Sequence, residues 1–334
     1  MKQPIITRDL ERKAIYSDII YDPEWLYVEI TIEKESHLLY SIDTSYCDYD
    51  IIVDWGDGCI EKNTTAHKYN RLGTYIIRIK GKIICNGGRS SVLSLFGSEV
   101  KTKALLYGTK FNTNLPIFCG CRCLTEVEPN FFIHRSDLTN ISYMFWKCEL
   151  LTKIPDGLFD PLTNLTNVSK MFNCCYGIDY IPEKMFAKCP HIRRVDYMLS
   201  GIKLHKIPDD ILDGLDELVS AEGLFYYSSL RNIPCGLFTN KRKLTTIANC
   251  FSRCDSMEKI PDGLFDDCVN LYNVKYLFYH SGTGGGINDD NTSSNLFSKC
   301  PNINEAKNAF VGTLLSEQKQ YEIISNIGSY YKNK

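Results

Sequence analysis

Neither sign of charge predominates in this sequence, where 38 Lys and Arg stand against 40 Asp and Glu for a net charge of −2. Such a chain has no global field to draw in nucleic acid or anionic lipid, so neither is an expected partner. Long apolar runs are missing too. No stretch approaches the roughly 18 apolar residues of a membrane span. The opening MKQPIITRDLERKAIYSDIIYDPE has no apolar run longer than three, so neither a membrane span nor an export signal is expected. His-Glu-x-x-His and Gly-x-Ser-x-Gly are absent. None of the six histidines, at 37, 67, 134, 191, 205 and 280, stands beside a well-spaced cysteine pair. GTGGG (Gly282 to Gly286) lacks the Lys-Ser/Thr of a phosphate cradle and reads as a mobile loop.

What is present suits a folded protein, with 44% hydrophobic and 23% charged residues. At 334 residues the chain exceeds what one ordinary core supports, which suggests two domains or an elongated array. Fifteen cysteines is an odd count, and it predicts buried, reduced thiols and folding in a reducing cytosol. CGCRC (Cys119, Cys121, Cys123) and NCC (Cys174, Cys175) lack the two-residue gap that lets thiolates wrap one ion. No metal and no cofactor is expected.

The hexapeptide IPDGLF occurs at 154–159 and again at 260–265. Alignment on Ile-Pro places Ile154, Ile181, Ile207, Ile233 and Ile260 in register, with Val127 ahead of them, at intervals of 27, 27, 26, 26 and 27. Periods of this size indicate a solenoid whose units bury their apolar faces on one another. Apolar residues recur eleven, fourteen and eighteen places after the anchor, for example Leu165, Val168 and Phe172. Proline in every unit forbids a continuing helix, so short strands and tight turns are expected, stacked about 4.8 Å apart. Cys148, Cys175 and Cys254 share one repeat position, and Cys189, Cys268 and Cys300 another, as small buried side chains would.

MFWKCELLTKIPDGLF and CFSRCDSMEKIPDGLF carry a Met-Phe-x-x-Cys turn followed by a Leu-x-x-Ile-Pro strand. In this the units resemble BspA-like leucine-rich repeats of Bacteroides and Mycoplasma surface proteins and gut bacteriophages. The resemblance covers roughly 104–312, about seven or eight repeats, and SGTGGGINDDNTSSN within 280–295 departs from it as a flexible insertion. Residues 25–81 alternate as strands do and contain DWGDG (Asp54 to Gly58), then His67, Tyr69, Gly73 and Tyr75. They resemble a PKD-type Ig-like fold. The aspartates of DWGDG could hold calcium, although a turn closed by Asx hydrogen bonds explains them without an ion.

The expected fold is therefore mainly β: an N-terminal arm at 1–24, a PKD/Ig-like sandwich at 25–81, a joining segment at 82–103, a leucine-rich-repeat solenoid at 104–312 and a capping helix within 313–334. If the L-x-x-V-x-x-M-F segment is extended, the pairs between its apolar letters face solvent. They include Tyr143, Lys170, Arg193, Arg194, Tyr197 and Tyr276, with three tyrosines at one register forming a candidate ligand-binding stripe. The same rings could instead pack as ladders that stabilise the sheet. No catalytic constellation is legible, so a non-enzymatic recognition or structural role is expected.

The resemblance implies adhesion or assembly. One setting is a bacteriophage virion component, such as a tail or head fibre or an adaptor, made in the host cytoplasm. Its arm would dock on another protein. Another is a bacterial cell-surface adhesin of BspA type, and a third is a carbohydrate-active enzyme. Expected partners are other virion or surface proteins, a host receptor protein or glycan, and further copies of the chain as a homo-oligomer.

Overall fold

The computed structural model describes residues 22–42, 47–85, 99–113, 116–325 and 327. Most of the expected arm, the middle of the joining segment and the last residues of the cap lie outside these. Nine strands lie among the described residues: β1 (Leu26–Ile32), β2 (Leu39–Ser41), β3 (Cys47–Asp54), β4 (Ile60–Lys62), β5 (Ala66–Lys68), β6 (Gly73–Cys85), β7 (Lys101–Leu106), β8 (Phe111–Thr113) and β9 (Leu124–Val127). The main sheet runs β4-β3-β6-β1-β7-β9 with β8 beside β6, and β2 and β5 form a second, two-stranded sheet.

Alternation in β1 explains why this part folds as sheet. Leu26, Val28, Ile30 and Ile32 point into the core, while Glu29 on the other face lies 3.9 Å from Lys103. In the DWGDG turn Gly56 and Gly58 take φ of 82° and 98°, and the Asp54 and Asp57 side chains accept the N–H of Gly56 and Cys59. Buried Tyr69 donates its hydroxyl hydrogen bond to the Trp55 carbonyl at 2.9 Å.

The sheet does not stop at 81. β6 continues to Cys85 and β7 begins at Lys101, so both ends of the expected joining segment lie in strands. β9, ahead of the first Ile-Pro, pairs in parallel with β7, and one hydrophobic cluster runs from Leu26 to Ile327. Cys47 is disulfide-bonded, and Cys85 stands opposite it in the β3–β6 register, so the expectation of uniformly reduced thiols needs correction.

From residue 117 the chain winds into coils that stack in parallel. Bridges link Asn140, Asn167, Arg194, Ser220, Thr246, Asn273 and Glu305 in turn. Backbone bonds between coils continue each bridge: the N–H groups of Val168, Lys170, Phe172 and Cys174 donate to the carbonyls of Arg194, Asp196, Met198 and Ser200. The expected extended L-x-x-V-x-x-M-F segment is not extended. Tyr143, Lys170, Tyr197, Asn249 and Tyr276 have φ between 53° and 61°, and this left-handed residue bends each coil into consecutive turns.

Two phenylalanine ladders fill the interior. One stacks Phe118, Phe145 and Phe172 at 6.0 and 5.5 Å, and Phe225, Phe251, Phe278 and Phe310 at 5.7, 5.3 and 5.7 Å. The other links Phe132, Phe159 and Phe186, then Phe238, Phe265 and Phe297. Leucine interrupts both in the same region, at Leu199 and Leu212, each fully buried.

The recurring cysteines have a defined task. Cys148, Cys175 and Cys254 donate their thiol hydrogens to the carbonyls of Phe118, Phe145 and Phe225, one coil back, and Ser281 does the same to Phe251. Burial pushes the Cys254 thiol up to about 11 and the Cys189 and Cys300 thiols to about 12, so they stay protonated donors. Cys175→Ser keeps the donor and stays close to the parent in chemical denaturation, whereas Cys175→Ala removes one of the two hydrogen bonds to the Phe145 carbonyl, which retains the Cys148 N–H, and loses about 1 kcal/mol.

The insertion is ordered, contrary to a flexible loop. Ile287 is fully buried and Asn288 bridges Leu314, while a side chain on Gly286 would meet the Met257 carbonyl oxygen at 1.6 Å. Its cost is five residues of register: the Cys300 thiol reaches back 35 residues to Phe265, where Cys268 reaches 30 to Phe238. The ladder then resumes at Phe310. A helix, α1 (Glu317–Ser325), closes the end with Ile323 buried beneath it. Among the described residues no helix is long and apolar enough to cross a membrane.

Candidate recognition surface

Tyr143, Lys170, Tyr197, Asn249 and Tyr276 occupy one of the left-handed positions that recur from coil to coil, and their N–H groups are tied to the next coil. Tyr143 donates to Ser169, Lys170 to Asp196 and Tyr197 to Glu222, at 3.0, 2.7 and 2.7 Å. Side chains 26 or 27 residues apart in sequence therefore stand in file on the surface. A non-glycine residue in this conformation costs about 1–2 kcal/mol. These inter-coil bonds, made at every rung, offset that cost.

Three of the residues expected from sequence meet directly. Lys170 Nζ donates to the Tyr143 hydroxyl at 2.9 Å and lies 5.1 Å from the Tyr143 ring and 5.6 Å from the Tyr197 ring. Tyr197 donates to Glu222 at 3.1 Å, and burial together with that carboxylate pushes its phenol well above the usual range. Its ring lies across Gly223 of the following coil, where a Cβ would come within 2.2 Å of it.

Sequence reasoning missed the second file. Trp146 is edge-on to Tyr143 at 6.4 Å, donates its indole N–H to Asn173 Oδ1 at 3.0 Å and carries Lys147 over its ring at 4.3 Å. Tyr226 stands edge-on to Tyr197 at 6.1 Å, and Tyr227 beside it is 61% exposed. Trp146, Asn173 and Tyr226 share one position in the repeat, nineteen after the anchor, and that recurrence was the available signal. The result is a half-buried aromatic surface held by lysines and amides.

The remaining predicted residues lie elsewhere. Arg194 is ion-paired with Asp196 at 2.7 Å, and that carboxylate also receives the Ser220 hydroxyl and the Glu222 N–H, so Arg194 helps bind coils together. Arg193 is exposed, next to the bridge residue, and its carbonyl serves Val219 and Ser220. Tyr276 forms a separate cluster with Tyr279 at 5.5 Å, and Tyr279 in turn touches His280 and Arg253. Gly223 and Asn249 occupy the file between Tyr197 and Tyr276, so the three tyrosines do not make one continuous stripe.

On the Ile-Pro side a recess of about 500 Å³ opens between β9 and the following coils, lined in part by Glu126, Lys153, Asp156 and Tyr180. Tyr180 closes part of it by donating to Asp156 at 2.9 Å. At CGCRC, burial raises the Cys119 and Cys121 thiols to about 12.

These features define a mainly β protein whose C-terminal two thirds is a stack of parallel coils. No family model matches the sequence, and no curated protein matches it. Among solved structures it aligns with one titled "Crystal structure of TLR13-ssRNA13 complex", at 12% identity and a TM-score of 0.27, over 61% of this chain and 39% of that one. The architecture described above rests on its own bridges and hydrogen bonds, not on that likeness.

Proposed function

We propose that this chain is a non-enzymatic recognition protein: a PKD/Ig-like sandwich joined to a leucine-rich-repeat solenoid of BspA type that presents the Tyr143–Trp146–Lys170–Tyr197 surface to a partner. The observation that carries this reading is the Lys170 ammonium set between two tyrosine rings with Trp146 alongside. Such rings lose little entropy on binding and dominate contact energies. The shared core behind them supports the same reading, because a surface built on a stiff stack is organised before its partner arrives.

The setting we propose is a bacteriophage virion, as a fibre or adaptor component. Many buried free thiols support folding in a reducing cytosol before assembly. The Cys47 disulfide favours a second reading, a bacterial surface adhesin in an oxidising environment. Mass spectrometry of purified particles against host envelope separates the two. The virion reading expects the chain in particles, and its recovery from the envelope alone overturns that reading.

The surface itself is tested by binding of the labelled protein to bacterial cells. Trp146→Ala and Lys170→Ala reduce bound protein about tenfold or more. Arg193→Ala leaves binding near the parent level. Equal binding by all three variants removes this surface from the function.

A further inference from the structure

The turn after β3 and the strand β5 carry a group of side chains that neither the core nor the recognition surface uses. Asp57 and Cys59 stand on the turn and His67 on β5, and one carboxylate oxygen, the thiol sulfur and one ring nitrogen lie within 4.8 Å of one another. His67 Nε2 is 2.8 Å from Asp57 Oδ2. The imidazole is held in place, stacked on Trp55 at 5.2 Å and edge-on to Tyr69 at 4.7 Å. Its other nitrogen, Nδ1, faces Glu61 Oε2 at 3.8 Å, and that same oxygen accepts the Trp55 indole N–H at 2.8 Å. The Asp57 and His67 side chains are 18% and 10% exposed, whereas Cys59 is exposed, so solvent reaches the group from the thiol side.

We propose that Asp57, Cys59 and His67 bind a borderline-soft divalent cation of the Zn²⁺ class. One oxygen, one sulfur and one nitrogen ligand suit such an ion, and three protein ligands leave a fourth position for water. The presence of sulfur and nitrogen argues against Ca²⁺ or Mg²⁺, which take oxygen. Ligand bonds of about 2.0–2.3 Å bring donor atoms to roughly 3.3–3.7 Å from one another. Reaching this takes rotation of the exposed Cys59 side chain and a small opening of the His67–Asp57 pair from 2.8 Å. On binding, the proton that His67 Nε2 shares with Asp57 Oδ2 moves to Nδ1, on the Glu61 side, which frees Nε2 for the ion, and the proton of the Cys59 thiol passes to solvent. Glu61 stands where a carboxylate orients a ligating histidine through its second nitrogen. Asp54 takes no part, because its oxygens serve the Gly56 N–H and Arg78. The ion would pin the β3–β4 turn, in the main sheet, to β5 in the small one.

Cobalt(II) titration of the full chain tests this, because a thiolate on tetrahedral cobalt gives charge-transfer and intense visible bands. The bands are expected to saturate at a single equivalent and to bleach when Zn²⁺ is added. They are lost in Cys59→Ser and kept in Cys235→Ser, which removes another exposed thiol. Zn²⁺ is expected to raise the melting temperature of the parent and not that of Cys59→Ser, a surface change that leaves the fold intact. Absence of the bands from the parent, or their survival in Cys59→Ser, overturns the proposal.

Discussion

Phe251→Ala lowers the stability of the coil stack by about 3–5 kcal/mol, the range for removing a buried aromatic side chain. Phe251 is fully buried at the busiest rung of its ladder, between Phe225 at 5.7 Å and Phe278 at 5.3 Å and edge-on to Phe238 of the second ladder at 6.3 Å. Truncation takes away the transfer term and leaves a cavity that rungs on both sides, pinned by inter-coil hydrogen bonds, cannot collapse into. The protein supplies its own comparison. Leu199 occupies the equivalent place two coils earlier and is equally buried. Phe251→Leu is therefore expected to cost about 1–2 kcal/mol, since a branched aliphatic residue fits the site but leaves part of the ring volume empty. Chemical denaturation followed by Trp146 fluorescence, in a background where Trp25 and Trp55 are replaced by Phe, reads the stack. Equal losses for the two variants would show that ladder packing does not set the stability of this region.

Arg135→Ala destabilises the junction between the sheet and the first coil by about 3 kcal/mol. Arg135 is only 4% exposed, and it occupies the place that Leu162 and Leu215 fill in other coils. Its guanidinium lies 3.8 Å from the Tyr107 ring, donates to the Phe111 carbonyl at 3.2 Å and holds both oxygens of Asp137 at 2.9 and 3.0 Å. That pairing, working against desolvation, raises the Arg135 pKa, and it lowers that of Asp137. Asp137 is largely exposed, so water replaces its lost partner at little cost. The loss comes from the orphaned Phe111 carbonyl, the stacked cation and the cavity. Arg135→Leu refills the volume and is expected to cost about half as much. Hydrogen exchange distinguishes a local effect from a general one. Faster exchange should appear at β7 and in the first coil and leave the coils beyond Phe225 unchanged, and uniform acceleration along the stack would count against a junction role.

Much of the architecture was legible because a stack writes its burial locally. Ile154, Leu165, Val168 and Phe172 point inward in one coil for the same reason that Ile181, Ile192, Val195 and Leu199 do in the next, and each position is stated again every 26 or 27 residues. The cysteines were legible as buried, though not as donors to the phenylalanine carbonyls. The conformation of the coil was not legible, because a spacing of three between apolar letters fits both an extended segment and a run of turns. The left-handed φ at Tyr143, Lys170 and Tyr197 is stabilised by hydrogen bonds from the next coil, which a reading of one unit does not contain. The insertion looked mobile for the same reason. Gly286 is demanded by close approach to Met257 and not by freedom of the chain.

By itself the sequence determined the repeat length, the inward letters of each coil, the turn at Asp54 to Gly58 and the six residues offered as a recognition stripe. Only the tertiary structure decided which of those six meet. Tyr143, Lys170 and Tyr197 converge with Trp146, while Arg194 is taken by Asp196 and Tyr276 stands apart. The physical reason is one of range. Burial of an apolar side chain is set by the few residues around it in sequence, whereas contact between outward side chains depends on how one coil is laid against another.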